Sequence, residues 1–301
     1  MKSKFYNIFT PIDFIFVAWH IIVLIIITLR IYPVDNVNWI YTYYSLIIVS
    51  SLSFFYSTRD VKTDNSFFML IRYGYAPLFL IVAFSQIELV NLMFFDRYLD
   101  PFFIRLEESV FGMQPCLTFW EAIPNRIFSE YMHMSYFLYY PTFFFVTLYP
   151  FFKRDLETFI RSVFIITFSF LFFYLLYIIL PVLGPRLAIP ETADIPRNGC
   201  FFAWVMVQIY KVGGNVGAAF PSSHCGMSVV TALLVFRSIK FFRVPALIIT
   251  ISICMATVYC RYHYVVDSVA GVAGGFLTFY LSDYLYSKMK SLGFKSYLKA
   301  D

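Results

Sequence analysis

The feature that constrains this chain most is a succession of apolar stretches, each about as long as a bilayer is thick. They fall at about 14–32, 39–57, 70–95, 128–152, 160–182, 222–239, 244–262 and 267–287. A helix needs about 20 mostly apolar residues to cross the hydrocarbon core. Backbone N–H and C=O groups find no water there, so the helix is the default spanning form. About eight spans are expected, the last weakened by Gly271, Gly274 and Gly275. Of the 301 residues 60% are hydrophobic and 14% charged, against about a quarter charged in soluble domains. Too little polar surface is left to cover such a chain in water. The expected fold class is all-α, a polytopic transmembrane helix bundle forming one membrane domain over residues 1–301.

The net charge of +5 is no sign of a nucleic-acid partner, because the basic residues sit in small groups between apolar runs. With eight spans, fifteen of the 23 basic residues fall on one face, among them Lys2, Arg59, Arg72, Lys153, Arg237 and Lys288. The other eight, including Arg105, Arg186, Arg197, Lys211 and Arg261, fall on the opposite face. The positive-inside bias then predicts cytoplasmic termini, with 96–127 and 183–221 outside. No small-residue cleavage site follows the first run, which is expected to be a retained span. Within 96–127, Leu99, Phe102, Phe103, Leu106 and Val110 recur at helical spacing, with Asp100, Arg105, Glu107 and Glu108 on other faces. This predicts a short helix, either lying in the outer interface or packed on the bundle as a connector.

The five cysteines show no C-x-x-C spacing, so neither a zinc site nor a disulfide framework is indicated. Cys225, Cys254 and Cys260 read as small apolar residues. Cys116 and Cys200 lie in connecting segments, where pairing is open to them.

Two segments on the outer side carry chemistry. In 213–224, glycines and small residues run into Pro221-Ser222-Ser223-His224, and an apolar helix follows. Proline suits the first turn of a helix, whose free N–H groups form a ready anion site. Ser222 and Ser223 add hydroxyl donors, and His224 a proton donor that works near neutral pH. In 261–267, His263 and Asp267 are four apart and share a helix face. A carboxylate on one imidazole nitrogen fixes the tautomer and aims the other outward, as an oriented nucleophile requires. Arg261 supplies a cation that grips phosphate oxygens. Taken singly, the first segment reads sooner as an ordinary capped helix start with a buried histidine, and the second also as an interfacial salt bridge closing a helix end. Ionisable groups near membrane depth are functional by default, and here two histidines, an aspartate and an arginine converge at one face.

These residues resemble the type-2 phosphatidic acid phosphatase superfamily, marked by Lys-x6-Arg-Pro, Pro-Ser-Gly-His and Ser-Arg-x5-His-x3-Asp. Pro221-Ser222-Ser223-His224 matches the second motif with serine for glycine, and His263 with Asp267 match the end of the third. The first survives only as Gly184-Pro185-Arg186: Ile179 stands at its lysine and Leu187 at its proline. Ala256 and Thr257 stand where the third motif has Ser-Arg. Gly-Pro-Arg with His-Tyr-x-x-Asp looks most like the inositol phosphorylceramide synthase branch and its bacterial relatives.

The resemblance implies a six-helix catalytic core within 128–287 and a phosphohistidine mechanism without cofactor or metal. His263 is the implied nucleophile, Asp267 its orienting partner and His224 the acid–base group. Arg186, Arg261, Ser222 and Ser223 are implied phosphate-binding residues, Arg261 replacing the arginine absent at Thr257. His133, Tyr136 and Lys211 are candidates for substrate contact, although an aromatic belt explains the tyrosines equally well. His20 reads as structural. The implied substrate is a lipid phosphate or a phosphatidylinositol-like lipid. The acceptor is a lipid alcohol such as ceramide or diacylglycerol, for transfer of a phosphoinositol-like head group, or water, for a lipid phosphate phosphatase. A zinc hydrolase and a channel or transporter are the readings from other classes. Pro-Ser-Ser-His points to an anion and not a cation, and paired charges deep in several spans are scarce.

Overall fold

A computed structural model of the chain describes residues 8–58, 66–190, 201–294 and 296. Arg197, Cys200 and the basic residues Lys2, Lys4, Arg59, Lys62, Lys295 and Lys299 lie outside the described residues, as does any pairing of Cys116 with Cys200. Apart from one isolated bridge, the regular structure among the described residues is helical. The helices are α1 (Pro11–Thr28), α2 (Val37–Ser57), α3 (Ser66–Ser85), α4 (Asp100–Phe111), α5 (Pro115–Ala122), α6 (Arg126–Phe137) and α7 (Tyr139–Phe152). They continue with α8 (Leu156–Ile179), α9 (Pro185–Ala188), α10 (Phe201–Gly213), α11 (Ser223–Ser238), α12 (Arg243–Tyr259) and α13 (Val265–Ser291).

Among the described residues, five helical stretches are long and apolar enough to cross a membrane: Pro11–Thr28, Phe67–Leu89, Leu156–Ile179, Lys240–Tyr259 and Val265–Ser291. The expected all-α polytopic bundle is therefore what the chain forms. Helices α2 and α11 occupy two further expected positions, although α11 has only 16 residues. The expected span 128–152 is instead broken at Leu138 into α6 and α7. Pro141 explains the break: its ring meets the carbonyl four residues back and it donates no N–H, yet the first turn of a new helix tolerates it.

The centre of the bundle is α11, buried among α7, α8, α12 and α13. Its contact with α13 depends on small residues. A Cβ on Gly271 would collide with the Ser222 carbonyl, and one on Gly275 with that of Gly226. The glycines that weakened the last span in sequence thus let two backbones touch, and α13 runs unbroken for 27 residues. At the opposite end of α13, Phe294 meets Phe14 of α1 edge to face at 5.6 Å. The start of α1 therefore lies beside the end of α13, away from the N-terminus of α13.

Helix α1 is started by a capping box, in which the Thr10 side chain accepts from the Asp13 N–H and the Asp13 carboxylate accepts from that of Thr10. Asp13 also pairs with Arg72 of α3, both fully buried, and accepts from the Tyr75 hydroxyl at 2.9 Å. Arg72 is thus an internal tie between α1 and α3 and not the loop cation its position suggested.

The helix expected in 96–127 is α4, but its faces are divided unexpectedly. Asp100, Phe103 and Glu107 are buried, while Phe102, Val110 and Phe111 point outward. The acidic residues turn inward because the neighbouring backbone supplies donors for them, described below.

Candidate active site

The C-terminus of α8, the N-terminus of α11, the C-terminus of α12 and the N-terminus of α13 meet at one end of the bundle. Their loops are stitched together by backbone. Val182 and Ala218 form a parallel bridge, with the Ala219 N–H donating to the Val182 carbonyl at 2.9 Å. The Ser222 N–H donates to the Asp267 carbonyl at 2.9 Å. All three sequence segments singled out above are thereby held side by side.

At the start of α11 the two serines divide the work. Ser222 is the N-cap, its hydroxyl accepting from the Cys225 N–H at 3.4 Å. Ser223 lines the adjoining cleft, and its own N–H donates to the Tyr177 hydroxyl at 3.0 Å. His224, next along, stacks on Tyr136 at 4.3 Å and lies 4.4 Å from Tyr139. Its Nδ1 is 3.1 Å from the Tyr136 hydroxyl, which is also 2.8 Å from that of Tyr210. The His224 Nε2 is buried without a hydrogen-bond partner among the described residues.

After α12 the chain turns through Arg261 in the left-handed region, φ 62°. The N–H groups of Tyr262 and His263 both donate to the Thr257 carbonyl at 3.0 Å, which swings His263 toward α11. The His263 Nδ1 lies 3.0 Å from the Ala219 carbonyl and 3.5 Å from Asp267 Oδ2. A carbonyl oxygen only accepts, so the proton sits on Nδ1 and the Nε2 lone pair is left for the cleft. Asp267 was expected to orient this ring; its nearer partner is the Ala219 carbonyl, with the carboxylate behind. Asp267 in turn accepts from the Tyr264 N–H at 2.9 Å.

The cleft itself is about 90 Å³ and is lined by Arg186, Ser223, His224, Tyr262 and His263, with Tyr136 and Tyr210. The two imidazoles are 5.9 Å apart between ring centres. The Arg186 guanidinium lies 4.0 Å over the Tyr210 ring and 5.7 Å from that of Tyr262. So small a space is well below the about 300–1,000 Å³ of ordinary ligand clefts. It suits one compact anionic group with the remainder of the molecule outside. A larger, apolar cavity of about 500 Å³ among α1, α8 and α13 contains none of these groups.

Not every expected residue reaches the cleft. Arg261 is buried with its guanidinium 5.4 Å over Trp120, and it is not among the lining residues. Lys211 is exposed on α10 and also lies outside the lining. His133 is buried on α6 with its Nδ1 2.8 Å from the Ser129 carbonyl, away from the lining, whereas Tyr136 belongs to it. His20 is packed in α1 with its Nδ1 2.7 Å from the Phe16 carbonyl. Among the described residues, no group of three or more His, Cys, Asp or Glu is placed to hold a metal ion.

Four residues at or behind the cleft were missed in the sequence. Tyr210 and Tyr262 wall it, and in a chain with 24 tyrosines nothing marked them out. Asp100 and Glu107 stand behind it. Asp100 accepts from the Leu183 N–H at 2.8 Å, the Gly184 N–H at 2.9 Å and the Tyr264 hydroxyl at 3.0 Å. Glu107 accepts from the N–H groups of Val265 and Val266, capping α13. Burial raises the Asp100 carboxyl against these donors, and pushes that of Glu107 up to about 7. Their spacing of seven, two turns on one face of α4, was the available signal.

Residues 103–281 match the family model described as PAP2 superfamily. A PA-phosphatase related-family protein of Dictyostelium discoideum is 26% identical over 190 residues, covering 52% of this chain. The match spans only 34% of that relative's length. No solved structure matches the chain significantly. The matched region runs from α4 to α13 and holds Arg186, His224, His263 and Asp267, and on that match the chain belongs to the PAP2 superfamily.

Proposed function

We propose that the protein transfers a phosphate-linked head group of a membrane lipid through a covalent intermediate on His263. Membership of the superfamily supports a lipid phosphatase or phosphotransferase activity in general. The observation that carries the finer reading is the pair of imidazoles 5.9 Å apart, one with its Nδ1 proton held by the Ala219 carbonyl and its Nε2 free for attack. In the first step His263 Nε2 bonds to phosphorus and the bond to the lipid oxygen breaks. His224, protonated on Nε2, gives its proton to that leaving oxygen. Asp267 stabilises the charge that builds on the His263 ring. In the second step neutral His224 takes the proton of the incoming hydroxyl, whose oxygen displaces His263 from phosphorus. Arg186, the Ser223 hydroxyl and the N-terminus of α11 hold the remaining phosphate oxygens throughout. The clamp expected of Arg261 falls to Arg186 in this reading.

The donor proposed is a phosphatidylinositol-like lipid and the acceptor a lipid alcohol. This rests on the Gly184-Pro185-Arg186 and His263-Tyr264-x-x-Asp267 pattern. Hydrolysis of a lipid phosphate uses the same residues with water as acceptor, so products decide between them. Purified protein is incubated with labelled phosphatidylinositol and labelled lipid phosphates, with and without ceramide or diacylglycerol. Label appearing in a new lipid only when the alcohol is present supports transfer. Water-soluble phosphate regardless of alcohol supports the phosphatase reading. No product from any donor overturns both. We further propose that the termini are cytoplasmic and the cleft faces outward, from the fifteen-to-eight division of basic residues. Thiol labelling of cysteines placed at Lys2 and Lys211 from the same side would sink this orientation.

A further inference from the structure

We infer that Asp100 is a positioning residue, which holds the Arg186 turn and the His263 turn in one fixed relation. This rests on the phosphoryl-transfer reading above for its effect on turnover, but its geometry stands alone. The Asp100 carboxylate is buried and lies outside the cleft lining. It takes two successive N–H groups, of Leu183 and Gly184, which only Pro185 separates from Arg186. It also takes the hydroxyl of Tyr264, immediately after His263. One side chain therefore spans the phosphate grip and the nucleophile, which come from different parts of the chain.

The two turns are in backbone contact, so a fixed spacing is demanded. Gly184 has φ +85°, and a Cβ there would stand 2.6 Å from the Tyr262 carbonyl oxygen. Nothing but glycine fits, and Asp100 collects the Leu183 and Gly184 N–H groups on one side of that contact and the Tyr264 hydroxyl on the other. Seven residues on, Glu107 repeats the arrangement on the Val265 and Val266 N–H groups. The two carboxylates differ in a way that separates charge from geometry. Glu107 uses one oxygen for both bonds, and its Oε2 has no hydrogen-bond partner among the described residues. Glutamine can keep those bonds. Asp100 uses both oxygens, so asparagine sets an NH₂ against an N–H or O–H donor whichever way it is turned. A buried polar group is costly once its partner is lost. Asp100→Asn therefore releases the turn where Glu107→Gln does not.

Turnover of labelled phosphatidylinositol (with ceramide or diacylglycerol) and of labelled lipid phosphate is measured for Asp100→Asn, Arg186→Ala and the double variant, beside Glu107→Gln. Misplacing a reacting group by about 1 Å costs about 10²-fold, and a loss of about that size in kcat is expected for Asp100→Asn, with Glu107→Gln close to wild type. In the Arg186→Ala background Asp100→Asn should cost less than about threefold, because residues acting through one another are not additive. A merely structural aspartate gives the full loss in both backgrounds, and that result overturns the inference, as does wild-type turnover in Asp100→Asn. Tyr264→Phe removes a single bond and serves where Asp100→Asn folds poorly; about a tenfold loss is expected, again absent in the Arg186→Ala background. Amide hydrogen exchange at Leu183 and Gly184 reads the clamp without any substrate. It should rise in Asp100→Asn and stay unchanged in Glu107→Gln. Unchanged exchange in Asp100→Asn overturns the clamp, whereas a wild type inert toward phosphatidylinositol and every lipid phosphate, with exchange as expected, overturns the functional reading alone.

Discussion

The Tyr136 hydroxyl stands 3.1 Å from His224 Nδ1, so the imidazole proposed to move protons is backed by a phenol and not by a carboxylate. A phenol can accept the Nδ1 proton or donate its own, and it is tied onward to Tyr210 at 2.8 Å. Tyr136→Phe keeps the stacked ring but removes this bond. Turnover should fall about tenfold, the worth of one hydrogen bond. His224→Ala should cost more, in the range of about 10²–10⁴-fold typical of general acid–base groups. Equal losses in the two variants would show that Tyr136 touches the substrate directly.

Asp267 makes a different prediction from that of a triad carboxylate. Where such a carboxylate alone sets the tautomer of a catalytic histidine, its amide variant loses about 10⁴-fold. Here the Ala219 carbonyl is nearer to His263 Nδ1, at 3.0 Å against 3.5 Å. Asp267→Asn should therefore lose only the charge that steadies the ring during attack, about 10²-fold in kcat. A loss near 10⁴-fold would mean that the carboxylate and not the carbonyl orients the ring.

The two arginines should separate cleanly. Arg186→Ala should cost about 10²–10³-fold in turnover, as for other oriented donors to developing charge. Arg186→Lys should rescue little, since lysine lacks the planar fork that stacks on Tyr210 and grips two oxygens. Arg261→Lys keeps a cation over Trp120 and should stay within about threefold of wild-type turnover. Large losses in Arg261→Lys with its thermal midpoint unchanged would return Arg261 to the phosphate.

Glu107 gives a pH signature. Burial raises its carboxyl from the ordinary 4.5 to about 7, against the pull of the Val266 and Val265 N–H groups. Between those values the folded chain holds a proton that the unfolded chain releases. Its contribution to stability is therefore full below about 4.5, falls as pH rises to about 7 and is flat above. Thermal unfolding of wild type and Glu107→Gln across pH 4–8 checks this. The difference between them should change across that window and nowhere else.

Much of this was legible in the sequence because the signals were periodic or local. Span length and apolar content gave the bundle, and the spacing of four gave the shared face of His263 and Asp267. Pro221-Ser222-Ser223-His224 gave the helix start, although which serine faces the cleft depends on the cap that Ser222 makes. What stayed hidden depends on long-range contacts. The break at Leu138 turns on one proline inside an apolar run, where hydropathy sees no change. The burial of Asp100 and Glu107 is decided by donors about 80 and 160 residues away, at Gly184 and Val265. Arg261 was placed in the cleft by nearness in sequence to His263, but the left-handed turn at Arg261 itself sends its side chain to Trp120.

The central claim is a phosphorus bond to His263, and trapping that bond tests it most directly. Wild-type and His263→Ala proteins are incubated with a lipid labelled on phosphorus, quenched in alkali, digested and analysed by mass spectrometry. The account predicts an acid-labile, alkali-stable adduct on the peptide carrying His263 in the wild type, and in His263→Ala neither adduct nor turnover. An adduct on another residue, or full turnover in His263→Ala, would contradict it.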